Sequence, residues 1–516
     1  MKKSLLLLAG MALVLSCNSE ATKEDVVSYA GTITEKELKE HLYVYASDEF
    51  EGRDTGQPGQ KKAVDYLKKE YETLGIKSVI DGTYFQNVPL SIVKTPKVAI
   101  AVNGKTFNYY DDYISLTSAA TGKIEASDIV YAGYGIDDEK HSDYKGLDVK
   151  GKVVLVKAGE PTDKAGNNII TGDKKASKWS NGRQALSAKR DAAKKNGAKA
   201  VFFMDNNLFE RYSKFFKSRE GSGNGRSLSL PSKKDASSQI YHFLISDKMG
   251  KAMARNSAKS AKPATVKTKF SMDFTSITEP VSSENVAAMI KGSEKPDEYI
   301  IISAHLDHVG KNSKGEIFNG ADDDGSGTVS LLEVAEAFKT AADNGHGPKR
   351  SVMFLHVTGE EKGLLGSRYY TDYEPLVPLA NTVANLNIDM VGRIDPKRKG
   401  ERNYIYLIGA DKLSTELHNI SEAVNKEFMN IELDYTYNDE NDPNRFYYRS
   451  DHYNFAKNNI PIIFYFNGTH DDYHRATDTP DKINYDLLEN RSRLVFHTAW
   501  ELANRENRIV VDKAAK

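Results

Sequence analysis

The sequence predicts an α/β fold with a second folded unit inserted into it. Three observations carry this reading. The C-terminal half holds near-continuous apolar runs at 299–304, 352–355, 383–388 and 461–466, and a strand apolar on both faces is a central strand covered on both sides. Residues able to do chemistry stand just past these runs: His305, the pair Glu360-Glu361, and Asp389. That is where open α/β sheets carry their sites. Finally, 516 residues exceed a typical single domain, and the pattern changes near residue 125 and again near 285.

Taken in order, Lys2 and Lys3 precede an apolar stretch from Leu5 to Leu15, too short to be a permanent membrane span. Val14-Leu15-Ser16-Cys17 resembles a bacterial lipobox, and Cys17 is the one cysteine of the chain. This predicts a signal peptide over 1–17 and lipidation at Cys17, hence export and a lipid anchor on a bacterial cell envelope, at its periplasmic or outer-membrane face. No disulfide can form within the chain. Residues 18–34 are polar and read as a tether. Residues 35–75 have helical spacing, with Leu38, Leu42 and Tyr45 on one face and Ala63, Tyr66, Leu67, Tyr71 and Leu74 on another. The glycine-containing 50–56 segment reads as a loop between them, and 84–116 as strands with a turn at Asn103-Gly104.

From 125 to 276 the sequence predicts a β-rich insertion. It has strands at 129–135, 152–156 and 200–204, a helix at 184–196, and an exposed Gly/Ser-rich loop at 206–238. Gly151-Lys152-Val153-Val154-Leu155-Val156 and Asn196-Gly197-Ala198-Lys199-Ala200-Val201 resemble a protease-associated domain; a β-rich insertion of another kind is the alternative. The α/β pattern resumes with strands at 285–290 and 299–304 and a helix at 326–341. With 39% hydrophobic residues and 71 basic against 72 acidic side chains, the composition excludes a disordered chain and points to no nucleic-acid partner. The basic run from Lys189 to Lys195 reads as a solvated helix face.

The chemistry lies in five short segments: His305-Leu306-Asp307, the run Gly320-Ala321-Asp322-Asp323-Asp324-Gly325-Ser326-Gly327, Glu360-Glu361, Asp389 and His474. Imidazoles and carboxylates together form the donor set that zinc or a similar divalent metal accepts. So many acids in one place need a cation. Asp307 can orient His305 through its second ring nitrogen, whereas alternation points His308 away from the direction of His305. One carboxylate of the Asp322–Asp324 run can bridge two cations. The Glu360-Glu361 pair divides into a metal ligand and a neighbour that takes a proton from metal-bound water.

These segments resemble the zinc aminopeptidases of metallopeptidase family 28. The resemblance rests on Ala304-His305-Leu306-Asp307, the 319–327 loop, Thr358-Gly359-Glu360-Glu361, Asn387-Ile388-Asp389-Met390, Arg449-Ser450-Asp451-His452 and Tyr473-His474. Ser47-Asp48-Glu49-Phe50-Glu51-Gly52-Arg53 is similar to an N-terminal signature of larger bacterial members. The resemblance implies a three-layer, mixed-sheet zinc-exopeptidase fold (phosphorylase/hydrolase-like) and two Zn2+ per chain. Asp323 would bridge the ions, Glu361 and His474 would complete one site, and His305 and Asp389 the other. Glu360 would be the general base, Asp307 a partner of His305, Tyr473 a stabiliser of the tetrahedral intermediate, and Arg449 a substrate contact. It also implies a cis peptide bond after Asp323.

The expected domains are therefore a catalytic unit over 35–124 and 277–510, with the protease-associated insertion at 125–276. The expected function is removal of N-terminal residues from peptides, with the membrane met only through the N-terminal lipid and the oligomeric state open. A carboxypeptidase of the same family is the first alternative. A glutaminyl cyclase-like enzyme and an inactive peptide-binding protein stand further back.

Overall fold

The computed structural model describes residues 20–116, 119–222, 228–231 and 239–513. The signal segment and Cys17 lie outside the described residues. The chain forms two units. One runs up to Val88 and resumes at Ser282, and the other is Pro89–Val281.

The first unit begins with a helix where a tether is expected. Lys23–Ala30 (α1) is capped by Thr22, whose hydroxyl accepts from Asp25 N–H while the Asp25 carboxylate accepts from Thr22 N–H. This is a capping box. Val26, Tyr29, Ala30 and Ile33 are buried, a helical spacing that the polar residues between them obscure. Glu35–Tyr45 (α2) starts at the Thr34 cap and buries Leu38, Leu42 and Tyr45. Pro58–Leu74 (α3) has proline at its first position and stops at Gly75, which takes the left-handed conformation, as helix ends commonly do.

The sheet of this unit uses the end of the long strand Ala264–Ile290 (β1), then Lys295–His305 (β2), Arg350–Val357 (β3), Thr382–Ile388 (β4), Tyr404–Ile408 (β5), Glu432–Asp434 (β6) and Ile462–Phe466 (β7). Its order is β6-β5-β7-β4-β2-β3-β1. The central strands β3, β2, β4 and β7 are parallel, while β1 and β5 run against their neighbours β3 and β7. Period-two alternation splits β2 between two cores. Ile300, Ile302 and Ala304 pack with α1, α2, α3, Gly327–Asp343 (α4) and Tyr485–Asn504 (α5). On the other face Ile301 joins Met353, Leu355, Tyr370 and Phe455. The result is a three-layer α/β/α unit with a mixed sheet.

In the second unit, residues 264–274 pair antiparallel with Gly122–Tyr131. Next come the parallel strands Val153–Lys157, Ala200–Met204 and Tyr241–Ile245, with Tyr113–Ser115 antiparallel at the edge. Residues 89–124 therefore belong here and not, as the change of pattern near 125 suggests, with the first unit, because strands such as Tyr113–Ser115 pair with partners more than a hundred residues away. The segment expected as an exposed loop at 206–238 begins as the helix Asn206–Ser222, whose Leu208 and Phe209 are buried. Lys189, expected on a solvated face, is buried. Its Nζ donates to the carbonyls of Lys157 at 2.7 Å and Gly159 at 2.9 Å, and burial pushes its pKa down to about 7. The Ala185, Ala192 and Ala193 face leaves room for its stem to turn inward.

Candidate active site

Three neighbouring parallel strands deliver the site. The ends of β2, β3 and β4 lead to His305, Glu360-Glu361 and Asp389, and β7 leads to the loop bearing His474. Asn385 and Asn387 of β4 and Asp389 just past its end share one side by alternation, and in β2 Ser303 and His305 do the same. Ser303 is in register with Asn387. A buried relay follows from this pairing. Asn385 Nδ2 donates to Ser303 Oγ (2.9 Å), Ser303 Oγ to Asn387 Oδ1 (2.7 Å), Asn387 Nδ2 to Ser450 Oγ (2.9 Å), and Ser450 Oγ to Asp389 Oδ2 (2.6 Å). The relay fixes one carboxylate oxygen and leaves Asp389 Oδ1 facing His305 Nε2 at 3.5 Å.

The three consecutive aspartates divide by their partners. Asp322 accepts from Gly392 N, Ser326 Oγ, Asn467 Nδ2 and His470 Nε2. Asp324 lies among His305 and Asp389, but its Oδ1 accepts from the backbone N–H of Gly327 and Met390 and its Oδ2 from that of His305. Both carboxylates thus tie the loop to neighbouring strands. Asp323 is different. Its Oδ1 is 3.2 Å from His305 Nε2, and its Oδ2 is 3.0 Å from His474 Nε2. Glu361 Oε1 lies 3.1 Å from His474 Nε2. The peptide bond between Asp323 and Asp324 is cis. A side chain at Gly320, which has positive φ, would fall on Asp323 O and the His308 ring, and one at Gly327 would strike the Asp324 carboxylate.

Two placements differ from the sequence reading. His305 Nδ1 donates to the backbone carbonyl of Asp307 at 3.1 Å, while the Asp307 carboxylate is 3.9 Å from it. That carboxylate instead accepts from Thr55 Oγ1 (2.7 Å) and Glu360 N–H (3.1 Å). The chain turns immediately after His305, so the carbonyl reaches the ring first. With Nδ1 engaged by that carbonyl, His305 turns its Nε2 to the site. The second difference is His308. Strand β2 ends at His305, so alternation no longer applies, and the ring curls back to put Nδ1 2.9 Å from Glu361 Oε1.

Sequence reasoning missed the residues that hold the loops. Arg53, buried, donates from Nη1 to the carbonyls of Asn319 and Tyr45 and from Nη2 to that of Gly320. Tyr45 Oη donates to Leu306 O at 2.8 Å. The 47–53 signature was the available signal, but it names no partner. Tyr473 stacks on His474, with ring centroids 4.0 Å apart. Burial and the charges of Asp323, Glu361 and Glu360 raise its hydroxyl pKa. Arg449, its guanidinium 4.9 Å from the Phe446 ring centroid, lines a cavity of about 590 Å³ with His470, Tyr473 and Arg475.

The electrostatics ask for cations. Burial, with Glu361, Asp389 and Asp451, pushes the Glu360 carboxyl well above the ordinary range against the pull of His305. Burial and Asp323 push Glu361 the same way, yet His308 and His474 bring it down to about 2. His474 rises to about 10, burial opposing, through Asp323 and Glu361. Charged imidazoles can supply this neutralisation, and so can metal ions bound to neutral ones. Asp323 Oδ2 and Glu361 Oε1 are buried and lack an aligned hydrogen-bond donor among the described residues. Zinc bonds of about 2.0–2.2 Å place neighbouring donors about 3.3 Å apart, which the separations of 3.0 to 3.5 Å above match. The donor set fits two zinc ions: His305, Asp389 and Asp323 would hold one, and Glu361, His474 and Asp323 the other.

Several known proteins are similar to this chain in sequence or fold. A probable zinc metalloprotease of Pyrenophora teres f. teres is 35% identical over 127 residues, 24% of this chain and 26% of its own length. A probable leucine aminopeptidase 2 of Aspergillus oryzae is 27% identical over 388 residues, 74% of this chain and 62% of its own length. The chain thus spans less than two thirds of each of these relatives. The solved aminopeptidase of Aneurinibacillus sp. strain AM-1 is 20% identical, with 96% of this chain and 98% of that one covered and a TM-score of 0.49. The model of peptidase family M28 matches residues 285–499, the stretch that supplies every candidate metal donor named above.

Proposed function

We propose that the protein is a dizinc exopeptidase that removes N-terminal residues from peptides, with Glu360 as general base. The observation that carries this is Asp323, which presents one carboxylate oxygen to each of two donor sets. When bound, the zinc ions polarise the scissile carbonyl and lower the pKa of water. The protein's own groups do the rest. The Glu360 carboxylate accepts a proton from the attacking water and returns it to the leaving amine. Asp307 holds the Glu360 backbone in place. The Tyr473 hydroxyl, kept protonated by its surroundings, donates to the developing oxyanion. The aminopeptidase reading is supported by the relative named a probable leucine aminopeptidase 2. Arg449 and Arg475 beside the cavity favour the second reading, in which a C-terminal carboxylate is held and the enzyme is a carboxypeptidase.

The test is a peptide panel with the zinc-loaded protein. Free-amine and C-amidated peptides should lose residues from the N-terminus, and N-acetylated peptides should be inert. Cleavage of acetylated but not amidated peptides would establish the carboxypeptidase, and no cleavage of any would refute the enzyme.

The inserted unit is proposed to be a protease-associated domain. Anchoring through lipid on Cys17 remains part of the proposal. It is supported by the lipobox-like sequence Val14-Leu15-Ser16-Cys17. Cys17→Ala should shift the protein from the membrane to the soluble fraction.

A further inference from the structure

We propose that His308 is a fourth protein ligand of the zinc held by Glu361, His474 and Asp323, an inference that rests on the dizinc reading above. His308 is fully buried, and neither ring nitrogen has an aligned hydrogen-bond partner among the described residues. A buried imidazole without a partner is costly, and this one is not stranded in an apolar core. Its Nδ1 lies 2.9 Å from Glu361 Oε1 and 3.8 Å from Asp323 Oδ2, the two oxygens that also lack a donor. Donor atoms of His308, Asp323 and Glu361 all fall within 4.8 Å of one another.

At 2.9 Å a hydrogen bond from His308 to Glu361 would be expected, but the ring N–H direction is misaligned for one. Atoms that approach closely without pointing at each other are the pattern of ligands aimed at a common third atom. His474 Nε2 lies 3.1 Å from Glu361 Oε1 and 3.0 Å from Asp323 Oδ2, so His308 and His474 both approach the same two oxygens, at 2.9 to 3.8 Å, around the roughly 3.3 Å between neighbouring donors of a zinc tetrahedron.

The position of His308 is built into the fold. Its backbone N–H donates to Arg53 O, and its ring occupies the space that a side chain at Gly320 would take. The same arginine clamp thus sets this ring and the Asp323 loop. The consequence is an asymmetric pair. The ion on the His474 side has four protein donors and the ion on the His305 side has three, so the exchangeable position belongs to the His305 side.

Zinc K-edge X-ray absorption of the zinc-loaded full chain tests this by counting imidazoles. Three shared between two zinc ions are expected, falling to two in His308→Ala. Chelator competition should show one zinc weakened beyond the roughly 10–100-fold typical of losing an outer hydrogen-bond partner. His308→Gln keeps a donor of similar size but no imidazole, and should lose zinc as the alanine variant does. A wild-type spectrum fitted by two imidazoles, or wild-type zinc affinity in His308→Gln, would overturn the assignment while leaving the dizinc reading intact. Failure of the wild-type protein to bind zinc would remove both. Should either variant fail to fold, the wild-type spectrum still decides.

Discussion

Ser450 donates a hydrogen bond to Asp389 Oδ2 at 2.6 Å and in doing so decides which oxygen of that carboxylate faces His305. Ser450→Ala should weaken one zinc site by roughly 10–100-fold, measured by chelator competition, with the circular dichroism unchanged; Ser450→Thr should restore it. Glu360 and Glu361 are neighbours in sequence with opposite electrostatics: burial and like charges raise the first, and two imidazoles bring the second down. Glu360→Gln should therefore keep both zinc ions and lose about 10²–10⁴-fold in kcat, whereas Glu361→Gln should lose zinc. A Glu360→Gln enzyme with near wild-type turnover would refute its role as base. At this scale the sequence shows which residue types can bind metal. It does not show that the Asp322 and Asp324 carboxylates are already occupied by hydrogen-bond donors, because most of those donors come from segments far along the chain.

Helix α4 carries an unusual buried acid facing α2. Glu333 is 1% exposed, and burial together with Glu336 and Glu37 raises its pKa from 4.5 to about 9. His41 lies 3.5 Å away, but burial lowers its own pKa, so it offers no cation at neutral pH. The folded state thus holds the Glu333 proton more tightly than the unfolded state does. The associated stability is fully present below about pH 4.5 and is lost as pH rises toward about 9, at up to about 1.4 kcal/mol per pH unit. Glu333→Gln removes this dependence. Its thermal midpoint should exceed that of the wild type at pH 8–9, and the gap should shrink toward pH 5. Equal slopes of midpoint against pH in the two proteins would show that Glu333 ionises freely. Helix α1 makes the complementary point about legibility. Its capping box and the Val26, Tyr29, Ala30, Ile33 spacing stand in the sequence, yet the polar residues between them suggest a tether until a core is present for them to meet.

For the whole molecule, the metals bear on stability as well as chemistry. The first unit buries His305, His308, Asp323 and Asp389 together, and ions that bind only the folded state stabilise it by mass action. Removing zinc with a chelator should lower the melting temperature of this unit by several degrees, about 1–3 kcal/mol at micromolar excess zinc. The transition of the Pro89–Val281 unit should stay unchanged, and scanning calorimetry with and without zinc checks this. A single melting transition untouched by chelation would mean that the site tolerates its buried charges without metal. By itself the sequence determined the central strands, because their apolar runs are local, and it determined the five chemical segments that stand beyond them. The tertiary structure alone decided where the inserted unit begins, since strands such as Tyr113–Ser115 find partners far along the chain. It also decided which atom orients His305 and where His308 points. Those outcomes depend on how the chain turns after a strand ends, where no periodicity constrains it and the groups brought near in space decide.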